Sequence, residues 1–327
     1  MKKGPFGIHQ GAQADRASIA LNYYEENMNL FMPRVHETRG FQGIVGCELP
    51  IVNYLAAISY KLLGFNDSHY RIIMWVIMAF GLYAVFATFV LFGFNKIIAL
   101  LLSFGWYCSP ILLFYTPNFL PDTASLAFNL MALHQLFLYI KKGHSSKRTI
   151  LFSIFIGLAA LIKVTSLILP IAIVLIFILF YVTKNKLPVK ITNLGLWILG
   201  LTISLGITFI WYKYSAYLNV RYGSSLFFLE SKWANSYVEF KSHYQSFEKN
   251  WLGHIYKTWI LKIIAGFYFF LLIGYFKRNR FLALLSLLYI LGTIAFFILM
   301  SQQFQNHDYY TITLYPSILL AIIYSAV

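Results

Sequence analysis

Charged residues are scarce in this chain. They make up 11% of its 327 residues, whereas hydrophobic residues make up 59% and aromatic residues 19%. A soluble domain needs about 25% charged residues to cover its surface, so this composition excludes a water-soluble globular protein. Acidic residues are especially rare, with 11 Asp and Glu against 26 Lys and Arg. The sequence therefore predicts an integral membrane protein in contact with membrane lipids.

Cysteine is nearly absent, with Cys47 and Cys108 as the two occurrences. Neither belongs to a CxxC or Cys/His motif, so the spacing favours free thiols over a metal site. A disulfide between the two stays open at this point. The basic residues form no single stripe or patch along the chain, so the net charge of +15 does not indicate a nucleic-acid partner.

Long apolar runs dominate what is present. A helix that crosses a bilayer needs roughly 20 apolar residues. Nine runs approach that length: 72–93, 97–115, 121–140, 149–162, 167–182, 191–211, 259–276, 281–300 and 309–327. The fourth and fifth are short, so two crossings and a tight re-entrant pair both fit. Residues 51–63 predict a helix at the membrane surface. We predict one all-α polytopic domain over 1–327, with a bundle of about nine transmembrane helices in 72–327.

Basic residues concentrate in alternate joints between these runs. Four, three and three of them occur in joints 141–148, 183–190 and 277–280, whereas joints 116–120 and 301–308 have none. Because basic joints stay on the cytoplasmic side, the remaining segments are predicted to lie outside: 1–71, 116–121, 163–166, 212–258 and 301–308. Six basic residues in the long joint 212–258 argue against its placement, although three glutamates offset part of that charge.

Residues 1–71 form the first external segment in this topology. The chain opens with Met1-Lys2-Lys3-Gly4-Pro5 and polar sequence, which is not the pattern of a signal peptide. We therefore expect a leading helix to be missing before this segment. The expected location is a bacterial inner or plasma membrane, with the active site facing outside.

Three acidic residues precede predicted helices on the outer side: Asp15, Glu48 and Asp122. A carboxylate at such a position can cap the helix N-terminus, and Asp122 follows Pro121 as a first helical residue often does. Each could equally perform chemistry. We expect the three carboxylates and His307 to converge on one external cavity beneath the aromatic-rich segment 212–258, whose rings suit an interfacial belt or a sugar-binding lid.

Several short motifs occur in an order that is similar to one known family. They are QAD at 13–15, ELP at 48–50, NFLPD at 118–122, GLAALIK at 157–163 and HDYY at 307–310. The chain resembles the GT-C membrane glycosyltransferases, in the glycosyltransferase family 39-like group of dolichyl-phosphate-mannose protein mannosyltransferases and aminoarabinose transferases. It departs from related members at Gly11-Ala12 and Leu49, where Trp-Arg and Lys are frequent, and both departures remove groups that could bind phosphate.

The resemblance implies a GT-C bundle with external amphipathic helices and an inverting glycosyltransferase activity. A sugar would move from a polyprenyl-phosphate donor to a lipid, glycan or protein acceptor. Such a transfer needs a base at the acceptor hydroxyl and cations at the departing phosphate. The family pattern assigns the base to Asp15, with Glu48 or Asp122 orienting the acceptor or assisting the base. The candidate substrate-binding residues are Arg16, Arg34, Lys163, Arg221, His307 and Tyr309.

Several alternatives stay open. Lys163 also fits a helix-end lysine that extends to the interface. His307 could cap its helix or bind a divalent metal with Glu48, although no metal motif is present and no cofactor is assigned. His9, His36 and His69 are predicted to be solvated loop residues. The competing function is a polytopic flippase or transporter for lipid-linked sugars without transferase activity, for which intramembrane charges are the usual signature.

Overall fold

Helices form nearly all of the regular structure. The computed structural model describes residues 4–37, 42–184, 192–227 and 231–326. Within these ranges, one isolated β-bridge between Arg34 and Ile44 is the sole extended pairing. The predicted all-α fold is confirmed. Residues 185–190 of the basic joint 183–190 lie outside the described residues.

Fifteen α-helices follow one another along the described chain. They are α1 (Gln10–Glu25), α2 (Ile51–Leu63), α3 (Asp67–Leu91), α4 (Lys96–Tyr107), α5 (Pro110–Tyr115), α6 (Asp122–Lys142), α7 (Ser146–Ile162), α8 (Ile168–Val182), α9 (Leu194–Tyr222), α10 (Tyr237–Phe247), α11 (Gly253–Ile255), α12 (Thr258–Tyr275), α13 (Arg280–Leu299), α14 (Ser301–Asn306) and α15 (Tyr315–Ala326). Two 3₁₀ segments, Val164–Leu167 and Asp308–Leu314, lead into α8 and α15, and a π-helical turn, Glu248–Leu252, joins α10 to α11.

Seven helical segments of the described chain are long and apolar enough to cross a membrane. They are Asp67–Leu91, Asp122–Lys142, Val164–Val182, Leu194–Tyr222, Thr258–Tyr275, Arg280–Leu299 and Asp308–Ala326. Two of the nine predicted runs form shorter helices. The run 97–115 divides into α4 and α5, because Pro110 has no backbone N–H with which to continue α4. The run 149–162 forms α7, which has 17 residues.

Helix α6 lies at the centre of the bundle, packed against α3 and α7, and α7 packs in turn against α9. Gly81 of α3 allows a close approach to α6, since an added Cβ would lie 2.8 Å from the Cα of Ala127. Helix α8 packs instead against α13, and α15 contacts both α12 and α13. Because α7 and α8 have different partners, the arrangement favours two separate helices over a tight re-entrant pair.

Helix α9 is longer than the predicted run 191–211 and continues to Tyr222. The helix therefore occupies the first eleven residues of the aromatic segment 212–258. The last three turns of α9 are bonded to the segment before α2. Trp211 Nε1 and Ser215 Oγ donate to Cys47 O at 3.0 and 2.8 Å. Asn219 Nδ2 donates to Gly46 O at 3.0 Å. These contacts extend the helix beyond its apolar run.

The predicted alternation of joints appears as two polar ends of the bundle. At one end, Val164 N donates to the Tyr212 hydroxyl at 3.0 Å and Trp251 Nε1 donates to Gln305 O at 2.9 Å, so segments predicted to lie outside contact one another. At the other end, the Tyr139 hydroxyl donates to Thr192 O at 2.8 Å. Each of these contacts therefore joins segments that the loop charges assign to the same side.

Candidate functional site

Asp15 lies inside α1 and does not cap it. The helix begins at Gln10, six residues before Arg16, where a helix capped by Asp15 would begin. The cause is Gln13, whose amide Nε2 donates to Phe6 O and Ile8 O at 2.9 and 3.0 Å and so fixes the turn before the helix. The capping role for Asp15 was therefore wrong. No side chain caps α2 or α6 either, since their N-cap residues are Pro50 and Pro121.

Four charged side chains from distant segments form one connected cluster, which we call the Lys163 cluster: Arg16, Glu48, Asp122 and Lys163. Lys163 Nζ lies 3.4 Å from Glu48 Oε1 and 3.0 Å from Asp122 Oδ1. Arg16 Nη2 donates to Glu48 Oε2. All four side chains are at most 16% exposed. Two of the three predicted carboxylates thus share one lysine, and the third candidate, Asp15, is the sequence neighbour of Arg16.

The charges in this cluster hold each other ionised. Burial raises the pKa of Glu48, but the positive charges of Arg16 and Lys163 outweigh that effect and lower it to about 2. Burial lowers the pKa of Lys163, yet Asp122 and Glu48 raise it well above its usual value. The pKa of Arg16 is also raised, since Glu48 offsets its burial. Lys163 therefore remains a cation in a site that excludes most water.

The backbone around Glu48 is fixed from two sides. On one side, Gly46 N donates to Asn219 Oδ1 at 2.7 Å. Gly46 also packs directly against α9, since an added Cβ would lie 1.7 Å from Ser215 O. Leu49 N donates to Leu161 O near the end of α7. Because Lys163 follows α7 directly, this bond sets the position of Glu48 relative to the lysine.

Aromatic rings flank Lys163 on the side of the last helix. Its Nζ lies 5.7 Å from the ring centre of Tyr309 and 5.1 Å from that of Tyr310. Such distances allow cation–π attraction. The Tyr212 hydroxyl accepts a bond from Val164 N at 3.0 Å. Tyr309 was expected from the sequence; Tyr310 and Tyr212 were not, although the HDYY motif placed two tyrosines side by side.

His9 is a buried contact of the site and not the solvated loop residue that the sequence predicted. Its Nε2 lies 3.1 Å from Asp308 Oδ1, and the two side chains are 13% and 5% exposed. The Tyr115 hydroxyl donates to the same carboxylate oxygen. His307 Nδ1 is 3.4 Å from His9 Nδ1, and burial together with His9 and Lys163 lowers the pKa of His307 to about 4. Sequence gave no signal for His9, because its partner is 299 positions away.

Asp15 differs from the other two carboxylates in having no counter-ion. Its side chain has no ion pair or hydrogen bond with any described residue, whereas its carbonyl accepts from Ser18 Oγ at 2.8 Å. Burial raises its pKa, the nearby Arg16 lowers it, and Glu37 raises it, with a net increase. A half-buried carboxylate with a raised pKa and free oxygens can accept a proton.

Two candidate cations lie apart from the cluster. Arg34 Nη1 donates to Glu26 Oε2 at 2.8 Å, with 43% of its side chain exposed. Arg221 is exposed at the end of α9, where it donates to the Tyr217 hydroxyl. Neither contacts Lys163, Glu48 or Asp122 within the described residues. The structure thus joins Arg16, Lys163 and Tyr309, with His307 close by, and leaves Arg34 and Arg221 outside this group.

A small polar cavity lies directly beside the cluster. About 20 Å³ in volume, it is enclosed by Asp122, Lys163 and hydroxyl or amide groups that include Ser125, Ser166 and Asn129. That volume accommodates about one water. Asn129 Oδ1 has no partner there. In the described part of the chain, no three His, Cys, Asp or Glu side chains are arranged to hold a metal, and Cys47 and Cys108 are free thiols.

The fold is similar to that of a solved membrane protein. The apo crystal structure of ArnT from Cupriavidus metallidurans superposes with a TM-score of 0.61 and 16% sequence identity, over 95% of this chain and 54% of ArnT. The chain thus spans about half the length of that protein, and the likeness concerns the fold. No curated protein sequence matches this chain.

The sequence itself matches one protein family. The match covers residues 48–213, just over half of the chain, and includes Glu48, Asp122 and Lys163. Those are the residues that the structure brings together in the Lys163 cluster. The chain therefore belongs to the dolichyl-phosphate-mannose-protein mannosyltransferase family.

Proposed function

We propose that this chain is an inverting glycosyltransferase that moves a sugar from a polyprenyl-phosphate donor to a hydroxyl of a lipid, glycan or protein acceptor. Family membership supports the transfer of a sugar from a lipid carrier. The observation that carries the proposal is Lys163, a cation between two carboxylates, on the same end of the bundle as Asp15, whose carboxylate pairs with none of the described residues. A lipid-linked donor requires a site of this kind at the boundary of the membrane.

The chemistry assigns one role to each charge. The acceptor oxygen attacks the anomeric carbon, the bond from that carbon to the phosphate oxygen breaks, and the phosphate leaves with the electron pair. The acceptor proton goes to Asp15, whose raised pKa makes it a better base than an ordinary surface aspartate. The donor phosphate gains one negative charge in this step, so a fixed cation beside it lowers the barrier.

Lys163 is the cation best placed for that phosphate. An ammonium group has three N–H donors; in Lys163 one of them bonds to Glu48, and Asp122 lies 3.0 Å away as a second counter-ion. The third is available to a phosphate oxygen. Glu48 and Asp122 keep Lys163 protonated and fix its direction, and Arg16 keeps Glu48 in place. Arg34, Arg221, His307 and Tyr309 stay candidates for contacts with substrate groups farther from the reacting atoms.

The site would face outside, in a bacterial inner or plasma membrane. Support comes from the joints at the opposite end of the bundle, which are rich in Lys and Arg. Polyprenyl-phosphate sugars used at that face would reach Lys163 along the apolar surfaces of the neighbouring helices. A flippase would move the same lipid without breaking the bond to the sugar.

Replacement of Asp15 by Asn tests the base. The amide has the size of the carboxylate but cannot take up the acceptor proton, so we expect transfer of labelled sugar to slow by ~10²–10⁴-fold. The matched control is Asp67→Asn at the start of α3, a carboxylate outside the cluster. Purified variants of equal thermal stability should be compared with a polyprenyl-phosphate donor. Equal, mild effects at both positions would overturn the assignment, and transport without sugar release would favour the flippase.

A further inference from the structure

A second cavity lies between the end of α1 and the segment that follows it, apart from the Lys163 cluster. It has a volume of about 130 Å³ and is lined by Asn22, Tyr23, Asn27, Asn29, Met32 and Arg34. Liquid water takes about 30 Å³ per molecule, so the cavity accommodates about four waters or a polar ring of comparable size. None of the roles assigned to the proposed transfer uses it as a site.

The lining of this cavity is rich in hydrogen-bonding groups. Four of its six residues end in an amide or a guanidinium group. Asn22 is 4% exposed; its Nδ2 donates to Arg34 O at 3.0 Å, and its Oδ1 has no partner among the described residues. Asn29 Oδ1 accepts from Phe31 N at 3.1 Å, which leaves both N–H groups of its amide free. Asn22 Oδ1 is not enclosed by protein, so this acceptor opens onto the cavity, where it and the N–H groups of Asn29 are available to a ligand.

The charge and shape of the cavity favour a neutral ligand with several hydroxyl groups. Arg34 is already paired with Glu26 at 2.8 Å, so its charge is compensated. Amide groups both donate and accept, as neighbouring hydroxyls do. Phe31 is 58% exposed beside Met32, with its ring centre 6.1 Å from that of Trp211 and 6.4 Å from that of Tyr214. This aromatic surface suits the apolar face of a sugar ring.

The cavity also lies on the same side of α1 as Asp15. Asp15 and Asn22 are seven residues apart, which is close to two turns, so their side chains point in similar directions about 10 Å apart along the helix. The extended segment after Met32 runs along this face: Arg34 O contacts Asn22, and His36 N donates to Ser18 Oγ at 3.3 Å. A short saccharide bound at Asn22 can therefore extend toward Asp15.

We infer that this cavity is a saccharide subsite, which holds a neutral sugar unit of a glycan acceptor while a terminal hydroxyl of that glycan reaches Asp15. This inference rests on the proposed glycosyl transfer and narrows its acceptor from a lipid, glycan or protein to a glycan. Amide groups of Asn22, Asn27 and Asn29 bind the hydroxyls, and Phe31 packs against the ring.

The test is binding of a panel of defined neutral oligosaccharides to the purified full-length chain in detergent, with no donor present. The wild-type chain should bind at least one member of the panel. Asn27→Trp should weaken that binding at least tenfold, because the indole fills the cavity. Asn250→Trp, the same substitution at an exposed position after α10, should leave affinity unchanged. Thermal unfolding of all three proteins verifies that each is folded.

Three results would overturn the subsite: no neutral oligosaccharide binds, Asn27→Trp binds as the wild type does, or only anionic glycans bind. Because the measurement uses no donor, it is independent of the test of Asp15. Binding that is sensitive to Asn27→Trp in a protein that transfers no sugar would support the subsite and contradict the transferase. Sugar transfer without any binding of free saccharides would support the transferase and contradict the subsite.

Discussion

Lysines occur at both polar ends of the bundle, but their surroundings are different. At the basic end, Lys141 is exposed and its Nζ lies 4.7 Å from the ring centre of Phe92. At the other end, Lys163 is 13% exposed and lies 3.0 Å from one carboxylate and 3.4 Å from another. The two residues have the same side chain at the end of a helix. Their roles differ because only one of them meets carboxylates from other segments.

The arginines repeat this contrast. Arg148 donates to the carbonyls of Leu138 and Gly143, near the C-terminal end of α6, where a cation interacts favourably with the helix dipole. Arg16 pairs with Glu48 in the interior. No Asp or Glu occurs in residues 139–150 or 183–193. We infer that cations at the basic end stabilise helix ends and orient the protein in the membrane. Those at the other end belong to a charge network suited to binding an anion.

Lys163→Met should have the largest effect. Removal of the shared cation leaves Asp122 buried without its counter-ion, so we expect a loss of about 3–5 kcal/mol in stability together with loss of sugar transfer. Lys141→Met, at the opposite end, should change both quantities little. Thermal unfolding in detergent and a transfer assay measure the two. Comparable effects of the two substitutions would remove the distinction between the ends.

Acid should lower the stability of the folded protein, and part of this loss should come from protonation of Glu48. Its pKa is lowered from 4.5 to about 2 in the folded protein. The stabilisation from its ionised form is therefore complete above pH 4.5 and disappears as the pH falls toward 2. It amounts to roughly 3 kcal/mol. In Glu48→Gln, the free energy of unfolding should therefore change less between pH 4.5 and 2 than it does in the wild type.

The matched control for that titration is Glu26→Gln, because Glu26 is exposed and its ion pair with Arg34 is accessible to water. Stability curves of the wild type and of Glu26→Gln should coincide across this pH range, since exposed pairs contribute about 0–1 kcal/mol. If Glu48→Gln also followed the wild-type curve, the charges of Arg16 and Lys163 would not stabilise that carboxylate.

His9→Ala should have a smaller effect. It leaves the Asp308 carboxylate with the Tyr115 hydroxyl as its remaining side-chain partner among the described residues, so we expect a loss of about 1–3 kcal/mol in stability. His36→Ala is the control, because His36 is exposed on the segment after Met32. Chemical or thermal unfolding distinguishes them. A neutral outcome at His9 would show that the contact to Asp308 does not hold α1 in place.

Cysteine labelling tests the assignment of the two ends with the least perturbation. In a Cys108→Ser background, the remaining Cys47 is buried and burial raises its pKa to about 12, so it should stay unlabelled. A cysteine at Ser145 should react with an impermeant reagent only after the cells are permeabilised, and one at Gln303 should react before. The opposite pattern would reverse the orientation and place the Lys163 cluster inside.

Much of the fold could be predicted because it depends on local sequence. Apolar runs of membrane length indicated the spanning helices, and segments that the joint charges assign to one side contact each other, as Trp251 and Gln305 do. Local reasoning failed where distant contacts intervene. Helix α9 extends to Tyr222 because the segment before α2 binds its last turns. A local contact was also missed: α1 starts early because Gln13 bonds to Phe6 and Ile8 just before the helix.

The sequence by itself determined the membrane class, the helical architecture and the motifs that resemble a family, since hydropathy and loop charge act over a few residues at a time. It also named Asp15, Glu48, Asp122 and Lys163 as candidates. Only the tertiary structure decided that Glu48 and Asp122 share Lys163, that Asp15 pairs with none of the described cations, and that His9 meets Asp308. The reason is physical: the protonation state and the contacts of a charged side chain depend on its burial and on its partners. Distant segments supply both, so the local sequence around the residue does not predict them.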